Sequence, residues 1–396
     1  MERRKRMIHP SFFDEPLNRR ETRCIKWDVA CRENADCVPM WVADMDFRSP
    51  DCVVNALKAR AAHPTYGYTG VKSDDRTAMI DYYRRRHGMI MEEKQILMLP
   101  GVITGMRVCL HALTEKGDGV ILQPPVYGPF RESIEKTGRK VMKAPLHWEN
   151  GHYTMDLEAV RAALEAGARM MFLCNPHNPV GRAWHQEEIE ALHALLSSYG
   201  AYLVSDEIHA DFVYAPRTHY SALRLPDEKI VVLLAASKTF NLAGLQQASL
   251  VCRDAGMMAG FEEEMAAHGT IAGNVFALEA TREAYLHGDE WLDALKAYLA
   301  ENIRVAQAFI AKNMPHAILS PMEATYLGWL DLRAVEEKTE TWMHACEKHG
   351  VMFTSGTFFG EEGEGFLRLN LACPREQMLE GLRRLQAAYE ELSGEA

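Results

Sequence analysis

Lys238 stands in the run Ala235-Ala236-Ser237-Lys238-Thr239-Phe240-Asn241, directly after the apolar stretch from Ile230 to Leu234. A lysine delivered by the end of a buried strand loses part of its proton affinity, and its free amine can condense with an aldehyde to a Schiff base. A solvated loop lysine is the ordinary alternative. A second apolar run, Tyr202-Leu203-Val204, ends in Ser205-Asp206-Glu207-Ile208-His209. A carboxylate there can keep a pyridinium nitrogen protonated and make its ring an electron sink, or simply cap the next helix. A third, Met170-Met171-Phe172-Leu173-Cys174, runs into Asn175-Pro176-His177-Asn178-Pro179-Val180-Gly181. Its prolines and glycine fix a turn, and the Asn178 side chain can donate to a ring oxygen.

These three polar residues follow strands at intervals of about thirty residues, the length of successive β-α units whose strand ends open on one edge of a parallel sheet. The rest of the chain fits that frame. Strands are expected near 97–99, 119–123 and 140–145, with helices over 51–60, 157–166 and 186–198, and from Gly105 towards Leu113. The alternation implies a mostly parallel sheet covered by helices. Residues 273–311 carry one long helical periodicity. Beyond Ile318 the pattern is α+β, with strands over 326–332 and 366–371 and helices over 339–349 and 375–392.

The combination resembles the fold-type I, aspartate-aminotransferase-like family of pyridoxal 5'-phosphate (PLP) enzymes, and the resemblance covers nearly the whole chain. It implies an α/β large domain with a mostly parallel seven-stranded sheet over residues 49–288. A smaller α+β domain would combine residues 1–48 and 289–396. It also implies a homodimer with a shared active site.

Gly101-Val102-Ile103-Thr104-Gly105 is a strand-to-helix turn whose free N–H groups can hold phosphate; the family places the cofactor phosphate at this position, on Val102 and Ile103. Ser237 would add its hydroxyl to the same phosphate. Tyr127, in Pro124-Pro125-Val126-Tyr127, falls where the family stacks an aromatic on the pyridine ring. In Tyr66-Gly67-Tyr68, Tyr68 is the expected tyrosine that crosses to the neighbouring subunit's phosphate, with Tyr66 the other candidate. Arg368, alternating on an apolar strand, can grip a carboxylate with two hydrogen bonds, and the family uses this position for the substrate α-carboxylate. Ala43, in Trp41-Val42-Ala43-Asp44, would line the other side of that pocket, with Tyr127 and Asn178 also against substrate.

Two positions depart from the aminotransferase pattern. His209 stands where many members have a tyrosine on the cofactor O3', and Gln246 where many have a phosphate-binding arginine. With Lys26-Trp27-Asp28, Trp41–Phe47 and Tyr66–Thr69, these departures resemble the cystathionine β-lyase branch, of MalY/PatB type. The branch implies β-elimination from L-cystathionine or another cysteine S-conjugate to a thiol, pyruvate and ammonia. Lys238 would act as base, Asp206 would hold the ring nitrogen and Arg368 would hold the carboxylate. An aminotransferase uses the same residues, and a regulatory protein-binding role is the alternative of another class.

Composition agrees with such an enzyme. The 396 residues suffice for two cores, and hydrophobic and charged contents of 47% and 25% are ordinary. The net charge of -11 argues against nucleic acid or an anionic membrane as main partner. Glu2-Arg3-Arg4-Lys5-Arg6 has no apolar segment after it and reads as a solvated tail. The nine cysteines form no Cys-x-x-Cys pair and the sixteen histidines no His-Glu-x-x-His. No zinc site or other metal site and no disulfide framework is expected, and a reducing cytoplasm fits.

Overall fold

The computed structural model describes residues 8–29, 32, 34–269 and 273–394; the basic start and Cys31 lie outside them. The chain is an α/β protein built on a seven-stranded sheet. Its strands are β1 (Ile96–Leu99), β2 (Gly119–Leu122), β3 (Lys140–Lys143), β4 (Ala168–Cys174), β5 (Tyr202–Asp206), β6 (Ile230–Leu234) and β7 (Ala248–Cys252), in the spatial order β1-β7-β6-β5-β4-β2-β3. Only β7 runs against its neighbours, pairing antiparallel with β1 and β6.

Side-chain alternation sorts these strands into two cores. Met171, Leu173, Leu203, Val232 and Leu234 belong to one cluster, and Met170, Phe172, Cys174, Val204, Val231 and Leu233 to the other. The second is roofed by α3 (Val102–Leu113), α4 (Pro129–Lys136) and α8 (Ala255–Ala267). Helices α1 (Asp51–Ala62), α2 (Ser73–His87), α5 (Leu157–Glu165), α6 (Gln186–Ser198) and α9 (Val275–His287) cover the first. Burial on both faces explains why all five residues of β6 are apolar and buried. Gly105 lets α3 lie tight on β6, because a Cβ there would come 2.8 Å from Leu233 Cδ2.

A third cluster joins Val38 and Met40 to Ile303, Trp342, Leu367 and Tyr389. It surrounds a four-stranded antiparallel sheet of β8 (Ile318–Leu319), β9 (Leu327–Asp331), β10 (Thr354–Ser355) and β11 (Phe366–Asn370). The early chain enters this part through Val38–Pro39, which pairs in parallel with Val351–Met352.

Two features depart from the sequence reading. The sequence pattern gives no strand over 248–252; β7 follows β6 without an intervening long helix, so β-α alternation does not reach it. The periodicity over 273–311 is two helices, α9 and α10 (Asp289–Asn313), joined at Gly288. A Cβ at Gly288 would lie 2.4 Å from the Phe240 ring, so the joint is pressed against the segment after Lys238. Among the described residues, no helix is long and apolar enough to cross a membrane.

Candidate active site

The register of β4, β5 and β6 sets Cys174 beside Asp206 and Asp206 beside Leu233. The segments carrying Asn178, Asp206 and Lys238 therefore leave one sheet edge side by side. Lys238 sits in the four-residue helix α7 (Ala236–Thr239) just past β6 and keeps partial solvent access. Its Nζ donates to the Ala43 carbonyl at 2.6 Å. Burial first, then the Arg368 charge, brings its pKa down to about 8 against the pull of Asp44 and Asp206. Thr239 fixes α7 from beneath, donating at 2.7 Å to buried Asp211, whose other oxygen meets His87 Nε2 at 2.8 Å.

Asp206 is buried and accepts from the Ile208 N–H at 3.1 Å. Burial pushes its carboxyl up to about 7, against that N–H and the Lys238 charge. Three residues later, His209 is also buried, and its Nδ1 has no protein partner. Burial, then Lys238 and Arg368, brings its pKa down to about 3, so the ring is neutral at physiological pH.

Arg368 comes from the other sheet. Strand β11 turns it inward, 3% exposed, with Nη1 donating to Asn178 Oδ1 at 3.2 Å. Nη2 donates to the Trp41 carbonyl at 2.7 Å and to Thr354 Oγ1 at 3.1 Å, while Nε has no protein partner. The guanidinium lies 4.9 Å over the Phe359 ring, and burial lowers its pKa to about 10. Neutral groups and backbone are its partners, so among the described residues no carboxylate pairs with its charge.

The segment from Trp41 to Phe47 forms the opposite wall, and side-chain donors clamp its carbonyls in sequence. Asn370 donates to Val42 and Asp44, Tyr326 joins Lys238 on Ala43, and Asn241 donates to Met45 and Phe47. Below it lies a closed ion network. Lys26, 1% exposed, meets Asp46 at 2.7 Å, and Arg19 meets Asp44 at 2.7 Å and Asp46 at 2.6 Å. Burial alone would push Asp46 up, yet Lys26 and Arg19 hold it below the ordinary carboxylate range. The sequence reading missed Asn241, Asn370 and Tyr326. Asn370 was within reach of it, since it shares a strand face with Arg368; Asn241 sits at a left-handed φ of 60°, where asparagine is favoured.

At the β1 end of the edge, α3 begins after Gly101 with no side-chain cap. Its Val102, Ile103 and Thr104 N–H groups precede the first intrahelical bond, from Gly105 N to Gly101 O at 3.1 Å. A Cβ on Gly101 would meet nothing within 4 Å. Open space before uncapped N–H groups suits an anion. Ser237 is half-buried in the first turn of α7, and Gln246 is exposed. Tyr127 is half-buried near Phe358, at 5.9 Å between ring centroids. Burial raises its pKa, so the phenol stays protonated. Tyr66 donates to its own Ala61 carbonyl at 2.7 Å and packs on Phe276, whereas Tyr68 is fully exposed.

These donors match the parts of PLP. An uncapped helix end suits its phosphate, a buried carboxylate its ring nitrogen, a neutral imidazole with a free nitrogen its polar ring substituent, and a depressed amine its aldehyde. The residues present therefore fit the group.

Known proteins give the same architecture. The profile for aminotransferase class I and II matches residues 35–385. The cystathionine beta-lyase PatB of Bacillus subtilis (strain 168) is 37% identical, over 95% of this chain and 99% of its own. Protein MalY of Escherichia coli (strain K12) is 30% identical, over 94% and 97%. The crystal structure of cystalysin from Treponema denticola, which contains PLP, superposes with a TM-score of 0.91 at 28% identity, covering 96% of this chain and 99% of that one. The chain belongs to the class I and II aminotransferase family, in the branch that includes the cystathionine beta-lyase PatB.

Proposed function

We propose that this protein is a PLP-dependent C–S β-lyase that splits L-cystathionine or a related cysteine S-conjugate. With cystathionine, substrate and one water give homocysteine, pyruvate and ammonia. The observation that carries this reading is the set Lys238, Asp206 and Arg368. These are three charge-bearing groups around one pocket whose hydrogen-bond partners are backbone or neutral side chains. The named lyase PatB, alike over nearly the whole chain, supports the same reading.

Bound PLP supplies an electron sink for the pair left when the substrate Cα–H bond breaks. The chain does the rest. Arg368 binds the α-carboxylate through its guanidinium, with Asn178 fixing one edge of the fork. That grip orients the Cα–H bond towards Lys238. The Lys238 amine, brought to about 8, takes that proton and passes it on towards the leaving sulfur. Asp206 holds an anion opposite the ring nitrogen, and Tyr127 shields the ring from water. Neutral His209 and Asn178 donate to the ring's polar edge. Val102, Ile103 and Ser237 hold the phosphate, with Ala43 at the substrate side.

We further infer a homodimer in which Tyr68 reaches the partner's phosphate. Tyr66 is tied to its own subunit, which leaves Tyr68 for that role. The division into residues 49–288 and residues 1–48 with 289–396 belongs to the same reading. The test is to supply L-cystathionine to the holoenzyme without any 2-oxo acid. One pyruvate per cystathionine is expected; strict dependence on an added amino acceptor would make the protein a transaminase instead.

A further inference from the structure

On the outer face of the large sheet, away from the pocket, α3 and α8 lie in contact. A Cβ on Gly260 of α8 would come 3.9 Å from the Ala112 Cβ of α3. Their ends bring three metal-ligand side chains together. His111 is in the last turn of α3; Glu264, in α8, and His268, its C-cap, are four residues apart and so share a helix face. His268 Nε2 and Glu264 Oε1 are 2.6 Å apart, His111 Nδ1 is 3.6 Å from the same oxygen, and the imidazole centroids are 5.5 Å apart. One ligand atom from each residue lies within 4.8 Å of the other two.

We propose that His111, Glu264 and His268 form a site for a divalent transition metal, with Zn²⁺ as the type. Zinc holds imidazole nitrogen and carboxylate oxygen at about 2.0–2.2 Å in a tetrahedron, so its ligand atoms stand roughly 3.3–3.6 Å apart. The three atoms already bracket that spacing, and small side-chain rotations complete it. An i,i+4 Glu-His pair alone is a common helix-surface hydrogen bond. The third ligand, from a different helix, converts the pair into a chelate. Two imidazoles and a single carboxylate select zinc, nickel or cobalt over magnesium or calcium, which ask for more oxygen ligands. Water fills the fourth position. Arg139 and Lys116 bring positive charge towards His111, which opposes a bound cation and makes the site weaker than it would be without them.

Bound metal ties the C-terminal end of α3 to α8. The other end of α3 presents Val102 and Ile103, about 12–14 Å along the helix from His111, so the metal braces the helix without entering the chemistry.

The test uses tag-free holoenzyme in a non-chelating buffer, titrated calorimetrically with ZnCl₂. About one equivalent is expected to bind, with the thermal unfolding midpoint rising by a few degrees. His111→Ala and His268→Ala should each weaken binding by at least about tenfold and abolish the thermal rise. Glu264→Gln should do so less strongly, and β-lyase activity without added metal should stay unchanged in all three. Equal zinc affinity in wild type, His111→Ala and His268→Ala overturns the proposal, as does no binding to wild type at about 1 mM zinc.

Discussion

Two groups of buried and half-buried charges meet at the segment from Trp41 to Phe47, and they are built on opposite principles. In the network of Lys26, Arg19, Asp44 and Asp46, each charge has an opposite partner within 2.7 Å. Around Lys238, Asp206 and Arg368 the direct partners are carbonyls, an N–H, an amide and a hydroxyl. The first group is closed and serves the fold. The second leaves charges whose burial the protein alone does not offset, and Asp206 and Lys238 shift towards their neutral forms as a result. Unpaired buried charge of this kind marks the places where ligand charge belongs.

Breaking each group should therefore have opposite consequences for stability. The largest effect is expected at Asp206. Asp206→Asn should lower β-lyase activity by a factor on the order of 10²–10³, since the ring nitrogen loses its anion. In cofactor-free protein the same substitution should stabilise. The folded carboxyl titrates at about 7, above its ordinary value of 3.8. Between these values the folded state holds more protons than the unfolded, so stability falls as pH rises through that window. The penalty is fully present above it, and a neutral amide escapes it. Thermal melts of both cofactor-free proteins at pH 4 and pH 8 check this: the Asp206→Asn variant should melt higher than wild type at pH 8 and show no such advantage at pH 4.

Lys26→Met should do the reverse. Removing one partner of a closed network leaves Asp46 short of a counter-ion, and about 3 kcal/mol of stability should be lost, read by urea denaturation. Stabilisation by this change would erase the distinction between the two groups. A smaller effect is expected for Arg368→Lys. A point charge cannot keep the fork that meets Asn178, Trp41 and Thr354. KM for cystathionine should rise roughly tenfold to a hundredfold, with kcat changing less; steady-state kinetics decides it.

The sequence made part of this contrast legible. Asn178, Asp206 and Lys238 each stand at or just past the end of a strand, at intervals near thirty residues, so their shared edge could be read from spacing, although only 3-10 turns, and no long helix, separate the Asp206 strand from β6. Arg368 could be read because one charged residue in an apolar strand stands out. The clamp on residues 41–47 could not, since its acceptors are backbone carbonyls that any residue supplies. Strand β7 was hidden because it runs antiparallel and breaks the alternation that revealed its neighbours. The pairing of Lys26 with Asp46 and of His111 with Glu264 and His268 joins residues distant in the chain, and no local pattern announces either.

The most direct measurement is on Lys238 itself. Purified protein saturated with PLP is reduced with borohydride, digested and mapped by mass spectrometry. One pyridoxyl group per chain, on the peptide holding Ser237-Lys238-Thr239, with loss of the visible absorption band, is the expected result. A colourless protein, or a label distributed over surface lysines with Lys238 unmodified, would contradict the account.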